Sequence, residues 1–259
     1  MRSLIQESFF VITMRKIAGL ISLLFLSSGH SAMADVNELL EKIAEAYGGQ
    51  KRITEVAAYQ QIGVTFSAMR GVEGDILRSY RHPDHLRVEI KYDEQNSELR
   101  ILAGQFAWKQ DQPAEGIFYS AMLLQAASLG LPAILFEHQK HVRDAGMILD
   151  KQGRALNSLE LNFHGNYRLV VGVDPDTGRI LESRGIIKIN DAAMEFSTTY
   201  DDFRYQQGRL FAFKEVHYAM GHQTGHTHIE SIEIVPELPE ELFHPSGLID
   251  KKPEIMVMR

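Results

Sequence analysis

The sequence predicts an α+β fold, in which an open, one-sided antiparallel sheet leaves a concave face to be covered. The first observation is that Leu169–Pro245 alternates short β-rich runs with tight turns. The second is that Ala57–Lys109 repeats this pattern, and the third is that helical patterns occur at Val36–Tyr47 and Ser120–His138. The sheet ends at Leu238–Pro245, where a turn started by proline carries a Leu-Phe pair that we expect to be buried.

The front of the chain reads as an export signal. Met14-Arg15-Lys16 is a basic start, Ile17–Leu26 is a short apolar run, and Ala32-Met33-Ala34 fits the small-x-small cleavage rule. The apolar run is too short to cross a bilayer, which needs roughly 20 residues. We therefore predict a signal peptide over residues 1–34 with its start at Met14 and cleavage after Ala34. One domain, residues 35–259, would then reach the periplasm without spanning the membrane.

Composition limits the remaining function classes. The chain has no cysteine, so burial alone must stabilise the fold in an oxidising compartment. With 44% hydrophobic and 24% charged residues, it is ordinary globular material. A net charge of −7 argues against nucleic acid as a partner.

The first helix is amphipathic. Over Val36–Tyr47 the apolar positions Leu39, Leu40 and Ile43 share one stripe with Tyr47. Gly48-Gly49 then ends the helix, and Lys51–Glu55 is predicted to be a connecting turn.

The strands follow from β-rich runs bounded by turn residues. They are predicted at Ala57–Phe66, Gly74–Arg81, Leu86–Tyr92, Ser97–Ala103, Phe106–Lys109, Val142–Leu149, Asn157–Phe163, Tyr167–Val173, Arg179–Ile189, Met194–Tyr205, Leu210–Met220 and His226–Val235. The turn His164-Gly165-Asn166 joins two of them, and Asp174–Gly178 is a strong hairpin turn because Pro175 and Gly178 suit its backbone.

The second helical segment, Ser120–His138, is apolar on nearly all sides. Ser120 can cap its start, and Gly130-Leu131-Pro132 must bend or split it. A helix this apolar must be covered, so we predict that Leu123, Ala127, Leu131 and Leu135 lie against the concave face of the sheet.

The order of these parts resembles a known family. The carrying residues are Tyr47-Gly48-Gly49 at a helix end, the strand pair around Arg81–Arg87, the run Leu102–Trp108 and the turn Asp174–Gly178. In this order they resemble the LolA/LolB-like superfamily of periplasmic lipoprotein carriers. The resemblance implies an open antiparallel β half-barrel with an N-terminal helix, a helical lid over the concave face, and a cavity that takes acyl chains.

The resemblance also implies a ligand site without a cofactor. Arg81 stands where the carriers have an arginine that hydrogen-bonds the lid, and Trp108 keeps the family's spacing from Gly104. Trp108 either lines the cavity or fills the core. The predicted ligand-binding residues are Arg81, Trp108, Leu123, Ala127, Leu131, Phe196 and Tyr200. The expected function is an exported, non-enzymatic protein that binds a lipid or another apolar small molecule.

Two alternatives remain open. His217, His222, His226 and His228 cluster around a hairpin and could bind a divalent metal or support an enzymatic site. The other alternative is an interaction subunit that binds an envelope protein. No nucleophile or phosphate-loop motif is visible in the sequence.

Overall fold

The computed structural model describes residues 36–163, 167–189 and 192–245. The predicted signal peptide, its cleavage after Ala34 and the turn at residues 164–166 lie outside these ranges. Four α-helices are described: α1 (Val36–Ala46), α2 (Gln50–Glu55), α3 (Ile117–Leu129) and α4 (Ala133–Glu137). The prediction of a turn over Lys51–Glu55 was wrong, because these residues form most of α2.

The described residues form thirteen strands in one sheet. The strands are β1 (Ala58–Ser67), β2 (Val72–Arg81), β3 (His85–Lys91), β4 (Ser97–Ala103), β5 (Phe106–Lys109), β6 (Gln112–Pro113), β7 (Val142–Leu149), β8 (Ala155–Phe163), β9 (Tyr167–Val173), β10 (Ile180–Ile189), β11 (Ala192–Gln206), β12 (Arg209–Ala219) and β13 (His222–Val235).

The strand order dictates where the helices go. The order is β6-β5-β4-β3-β2-β1-β13-β12-β11-β10-β9-β8-β7, so the first and last long strands pair in the middle. The consecutive strands β6 and β7 are therefore the two opposite edges. The chain between them has to cross the sheet, and it does so as α3 and α4. The predicted fold class, an open antiparallel half-barrel with an N-terminal helix and a helical lid, is confirmed.

We call the helix-covered side of the sheet the inner face. The apolar stripe of α1, Leu39, Leu40 and Ile43, is buried in one core with Ala127 of α3 and Leu135 of α4. Strand residues that point inward from β8 and β9 complete this core, namely Leu159, Leu161, Leu169 and Val171. Burial of such side chains is the main driving force that holds the helices on the sheet.

Helix α3 is buried by two cores, which explains why it has no polar side. Met122 and Leu123 pack against inner-face residues of β1–β3, whereas Ala127 packs with α1 and α4. Two glycines allow this close approach. A Cβ on Gly185 of β10 would meet Leu124 at 2.9 Å, and one on Gly130 would meet the Tyr80 hydroxyl at 2.5 Å.

The opposite, outer face is covered by the C-terminal segment. Leu238 and Phe243 of this segment are buried against Leu99 and Ile101 of β4. The 3-10 turn Glu240–Phe243 contains the predicted Leu-Phe pair, of which Phe243 is fully buried. No helix among the described residues is long and apolar enough to span a membrane.

Candidate ligand cavity

A cavity of about 690 Å³ lies between α3 and the inner face. Helix α3 forms one wall with Ala121, Leu124, Gln125 and Ser128. The other walls come from β1–β5 and from β10–β13. The cavity reaches the tip of the β1–β2 hairpin at Met69, whose side chain is 95% exposed, so this end opens to solvent.

One part of the cavity wall is apolar. Ile76 of β2 and Ile90 of β3 face Leu124 and Leu129 of α3, and Phe196 of β11 adds an aromatic surface. Wall and lid therefore present hydrocarbon to the same space. Such a surface favours an apolar occupant, since each Å² of apolar surface that binding removes from water contributes about 25 cal/mol to the binding free energy.

The floor carries a buried ion pair. Arg78 of β2 reaches across β1 and β13 to Glu215 of β12, and its two terminal nitrogens donate to the carboxylate at 3.2 and 2.6 Å. Both side chains are at most 5% exposed. Burial opposes the ionisation of Glu215, but the Arg78 guanidinium outweighs it and holds the pKa of the carboxyl below its usual range. The pair therefore stays charged beneath the cavity.

A hydroxyl chain extends this floor through His217. The His217 Nδ1 lies 3.2 Å from the Thr198 hydroxyl, and its Nε2 lies 2.9 Å from the Thr227 hydroxyl. The Thr227 hydroxyl is in turn 3.0 Å from that of Thr65. Burial lowers the pKa of His217 to about 4, although Glu215 nearby acts in the opposite direction. The imidazole is therefore neutral at physiological pH.

The rim of the cavity is basic. Arg70, Arg100 and Lys109 line it together with the single carboxylate of Glu98. Glu98 lies 3.2 Å from the Arg100 Nε and 3.6 Å from an Arg70 nitrogen. Burial lowers the pKa of Arg100, whereas Glu98 raises it. Glu98 thus pairs with two of the three cations at this rim, Arg70 and Arg100.

A second, smaller cavity of about 50 Å³ lies beyond the end of α3. Ser128, Leu129, Tyr200 and Glu215 line both cavities. The Ser183 hydroxyl lies 2.7 Å from that of Tyr200 and 3.2 Å from that of Ser128. This hydrogen-bonded group connects the end of α3 to β10 and β11 beside both cavities.

Polar side chains of the sheet and of the β2–β3 turn contact α3, α4 and the segment between them. The Tyr59 hydroxyl donates to the Leu129 carbonyl at 2.8 Å, and Arg209 donates to the Leu131 carbonyl at 3.0 Å. His82 contacts the Glu137 carboxylate of α4 at 2.7 Å. These contacts attach the segment to the sheet. The last carbonyls of a helix have no partner within the helix, and the sheet side chains supply one here.

The structure changes the assignment of two predicted ligand residues. Arg81 lies on the outer face, where it donates to the Leu238 carbonyl at 3.1 Å and pairs with Glu240. It does not hold the lid, and Arg209 makes the contact that the resemblance implied for it. Trp108 is the cross-strand partner of Ile101 and packs against the same outer-face core. The core alternative for Trp108 is thus the one that the structure supports.

The other predicted ligand residues lie on the inner face. Phe196 and Tyr200 line the large cavity. Leu131 lines the small one, whereas Leu123 and Ala127 of α3 are buried in the two helix-covered cores. Their role in binding stays a prediction.

The histidine hairpin does not form a four-ligand site. His217 pairs with Gly225 and points inward, whereas His226 and His228 are the neighbours of inward-pointing Thr227 and so point outward. His222 lies at the hairpin tip and is exposed. Within the described ranges there is no group of three or more His, Asp or Glu side chains that could hold a metal ion. The structure therefore does not bring together the four histidines that the alternative would need.

Sequence reasoning missed the charged residues of the cavity. Arg78 and Arg100 stand in strands at positions in phase with Ile76 and Leu102, which face the inner core. The signal that could have found them is a charged residue at a strand position in phase with buried apolar residues. Burying a charge is costly, so such a position indicates a partner or a site.

Comparison with solved structures finds similar ones. A LolA superfamily protein from Nitrosomonas europaea is 11% identical, and the match covers 80% of this chain and 96% of that chain with a TM-score of 0.53. A putative outer membrane lipoprotein-sorting protein domain from Vibrio parahaemolyticus is 11% identical, with 81% of this chain and 97% of that chain covered and a TM-score of 0.46. A DUF1329 family protein from Desulfovibrio piger is 10% identical, with 81% and 97% covered and a TM-score of 0.47.

These identities show the fold alone, and the first structure carries that conclusion. The chain is thus an open half-barrel with a LolA-like fold. Neither a protein-family model nor a curated protein sequence matches it.

Proposed function

We propose that this chain is an exported, non-enzymatic binding protein that holds a lipid or another apolar ligand between α3 and the inner face. The observation that carries the proposal is the cavity of about 690 Å³ with its wall of Ile76, Ile90 and Phe196 beneath an apolar helix. Ligand sites in proteins are clefts of roughly 300–1,000 Å³ with mostly apolar walls and a few polar groups.

The fold supports the same conclusion. The resemblance noted in the sequence is to carriers whose cavity takes acyl chains, and the LolA-like fold here contains a cavity of about 690 Å³. The site departs from that resemblance in one respect, since Tyr59 and Arg209 hold the lid segment instead of Arg81. Function is set by the site and not by the fold, so the cavity itself has to be tested.

The predicted signal peptide supports a periplasmic location. After cleavage following Ala34, the protein would carry its ligand through an aqueous compartment, where an acyl chain needs cover from water. An envelope protein that delivers or receives the ligand is a further part of the proposal.

Blocking the cavity tests the proposal. Ala121 projects from α3 into the cavity and is only half-buried, so Ala121→Trp fills the space without removing a core contact. We expect the wild-type protein to bind the fluorescent methyl ester of cis-parinaric acid saturably. The variant should bind it at least about tenfold more weakly, a loss of about 1.4 kcal/mol.

The matched control is Ala192→Trp, at the exposed start of β11 and away from the residues that line the cavity. It should bind the ester like the wild type. Absence of saturable binding to the wild type, or equal binding by Ala121→Trp, would contradict the proposal.

A further inference from the structure

Three basic side chains stand in a row across the inner face. Arg78 on β2, Val88 on β3, Arg100 on β4 and Lys109 on β5 are successive cross-strand partners. Directly paired residues point to the same face, and neighbouring strands are about 4.8 Å apart. The basic side chains of this row all line the large cavity.

The row contains a like-charge pair. Arg100 and Lys109 stand directly opposite each other on β4 and β5, an arrangement that destabilises a sheet. Glu98 lies close to Arg100, but the buried Arg100 Nε has no aligned hydrogen-bond acceptor among the described residues. A guanidinium has five N–H donors and no acceptor, so Arg100 presents unused donors to the cavity.

The charges around the cavity do not balance. Its lining holds four cations, Arg70, Arg78, Arg100 and Lys109, against two carboxylates, Glu98 and Glu215. Both terminal nitrogens of Arg78 donate to Glu215. Glu98 is then the remaining carboxylate of the lining for the other three cations. The excess is positive although the chain as a whole carries −7. A local excess of one sign in a cleft attracts a ligand of the opposite sign.

We infer that the ligand is an amphiphile with a carboxylate or phosphate head, held by Arg100 with Lys109 and Arg70 around it. The hydrocarbon tail lies along the wall formed by Ile90 and Leu124. This inference rests on the proposed function and specifies its ligand class. A charge-assisted hydrogen bond is about twice as strong as a neutral one, so the head contributes both affinity and orientation.

Two probes with one tail separate the head from the chain. cis-Parinaric acid and its methyl ester share the same hydrocarbon, and at pH 8 the acid is ionised because a carboxyl titrates near pH 4–5. We expect the wild-type protein to bind the acid at least about tenfold more tightly than the ester. Arg100→Gln should remove that preference, so that the acid and the ester bind with similar affinity.

The matched control is Arg143→Gln, which makes the same change of charge at an exposed position on the edge strand β7. It should keep the preference for the acid. Equal affinity for acid and ester in the wild type, or an unchanged preference in Arg100→Gln, would overturn the anionic head. Failure of the wild type to bind either probe would instead overturn the proposed function.

Inorganic phosphate distinguishes a lipid head from a free anion. Because the inferred ligand needs its tail, phosphate alone should compete with the acid only weakly and should not displace the ester. Displacement of the acid by phosphate at an affinity similar to the acid's own would show a site for small anions and overturn the amphiphile.

Discussion

At the residue scale, the polar end of the cavity depends on charges that are buried with a partner. Arg78 and Glu215 form a two-point ion pair, and removing either member would leave a charge without compensation. Such losses cost about 3–5 kcal/mol, much more than the pair itself contributes. The floor is thus held by this pair, and the Nε atoms of Arg78 and Arg100 have no hydrogen-bond partner among the described residues.

His217 should make stability depend on pH. Its pKa in the folded state is about 4, below the ordinary 6.5, because burial penalises the imidazolium. Between these values the unfolded chain binds a proton that the folded chain does not, so stability falls as pH falls from about 6.5 towards 4. One group contributes at most about 1.4 kcal/mol per pH unit. Glu215 reduces this penalty, whereas Arg78 and Arg100 increase it.

The measurement is the melting temperature at pH 7.5, 6.5 and 5.5 for the wild type and His217→Gln, which can keep one hydroxyl contact. The melting temperature of the variant should fall less between pH 7.5 and 5.5 than that of the wild type. The exposed control His222→Gln should behave like the wild type. If the melting temperatures of His217→Gln and the wild type depended on pH to the same extent, the imidazole would not be held neutral in the folded protein.

Arg209 should control how readily the lid segment opens. Its side chain is buried, one terminal nitrogen donates to the Leu131 carbonyl, and its Nε has no hydrogen-bond partner among the described residues. Arg209→Met would leave that carbonyl unpaired, which costs about 1–3 kcal/mol. We expect faster amide hydrogen exchange at Leu131–Leu135 than in the wild type. The exposed control Arg204→Met should not change the exchange rate. An unchanged rate in Arg209→Met would mean that Arg209 does not hold the lid segment.

At the element scale, the close packing of α3 on β10 depends on Gly185. A side chain there would meet Leu124 at 2.9 Å, so Gly185→Ala has to move the helix or the leucine. We expect a loss of about 1–3 kcal/mol in the free energy of unfolding, measured with urea. In the Leu124→Ala background the same glycine change should cost much less, because the clash is gone. Additive losses would mean that α3 does not rest on Gly185.

The strands and helices could be predicted where local pattern decides. Ser97–Ala103 and Tyr167–Val173 have the predicted bounds. Helix α3 begins earlier than predicted, at Ile117, and Ser120 lies inside its first turn, where its hydroxyl donates to the Gly116 carbonyl. Helix α2 was missed because Ile53 is its one buried residue, which is too little for a visible stripe.

The site was harder to predict because the face of a strand residue depends on register. Trp108 and Arg100 are separated by eight residues and lie on paired strands, yet they point to opposite faces. A register shift of one residue in either strand would move the side chains of that strand to the other face. The sequence therefore indicated a covered concave face without showing which side chains line it.

At the scale of the whole molecule, the lid follows from the strand order. Strands β6 and β7 are consecutive in the chain but form opposite edges of the sheet. The 28 residues from Ala114 to His141 must therefore cross the face, and α3 and α4 cover it in doing so. A cover built from one connecting segment can open without unpairing any strand, as ligand entry requires.

Export is a further property of the whole molecule. Expressed with its own leader, the protein should appear in the periplasm with Asp35 as its first residue, as read by N-terminal sequencing. Ala34→Arg should block cleavage, because the site needs a small residue, whereas Ala34→Ser should be processed normally. A wild-type chain that keeps residues 14–34 and sediments with membranes would contradict the predicted signal.

The most direct test of the account is native mass spectrometry of the protein recovered from the periplasm. We predict the mass of the mature chain plus one anionic amphiphile, which Ala121→Trp should lose and Ala192→Trp should keep. A wild-type protein that shows only its bare mass, and that takes up neither parinaric acid nor its methyl ester, would contradict the claim that the cavity under α3 is a ligand site.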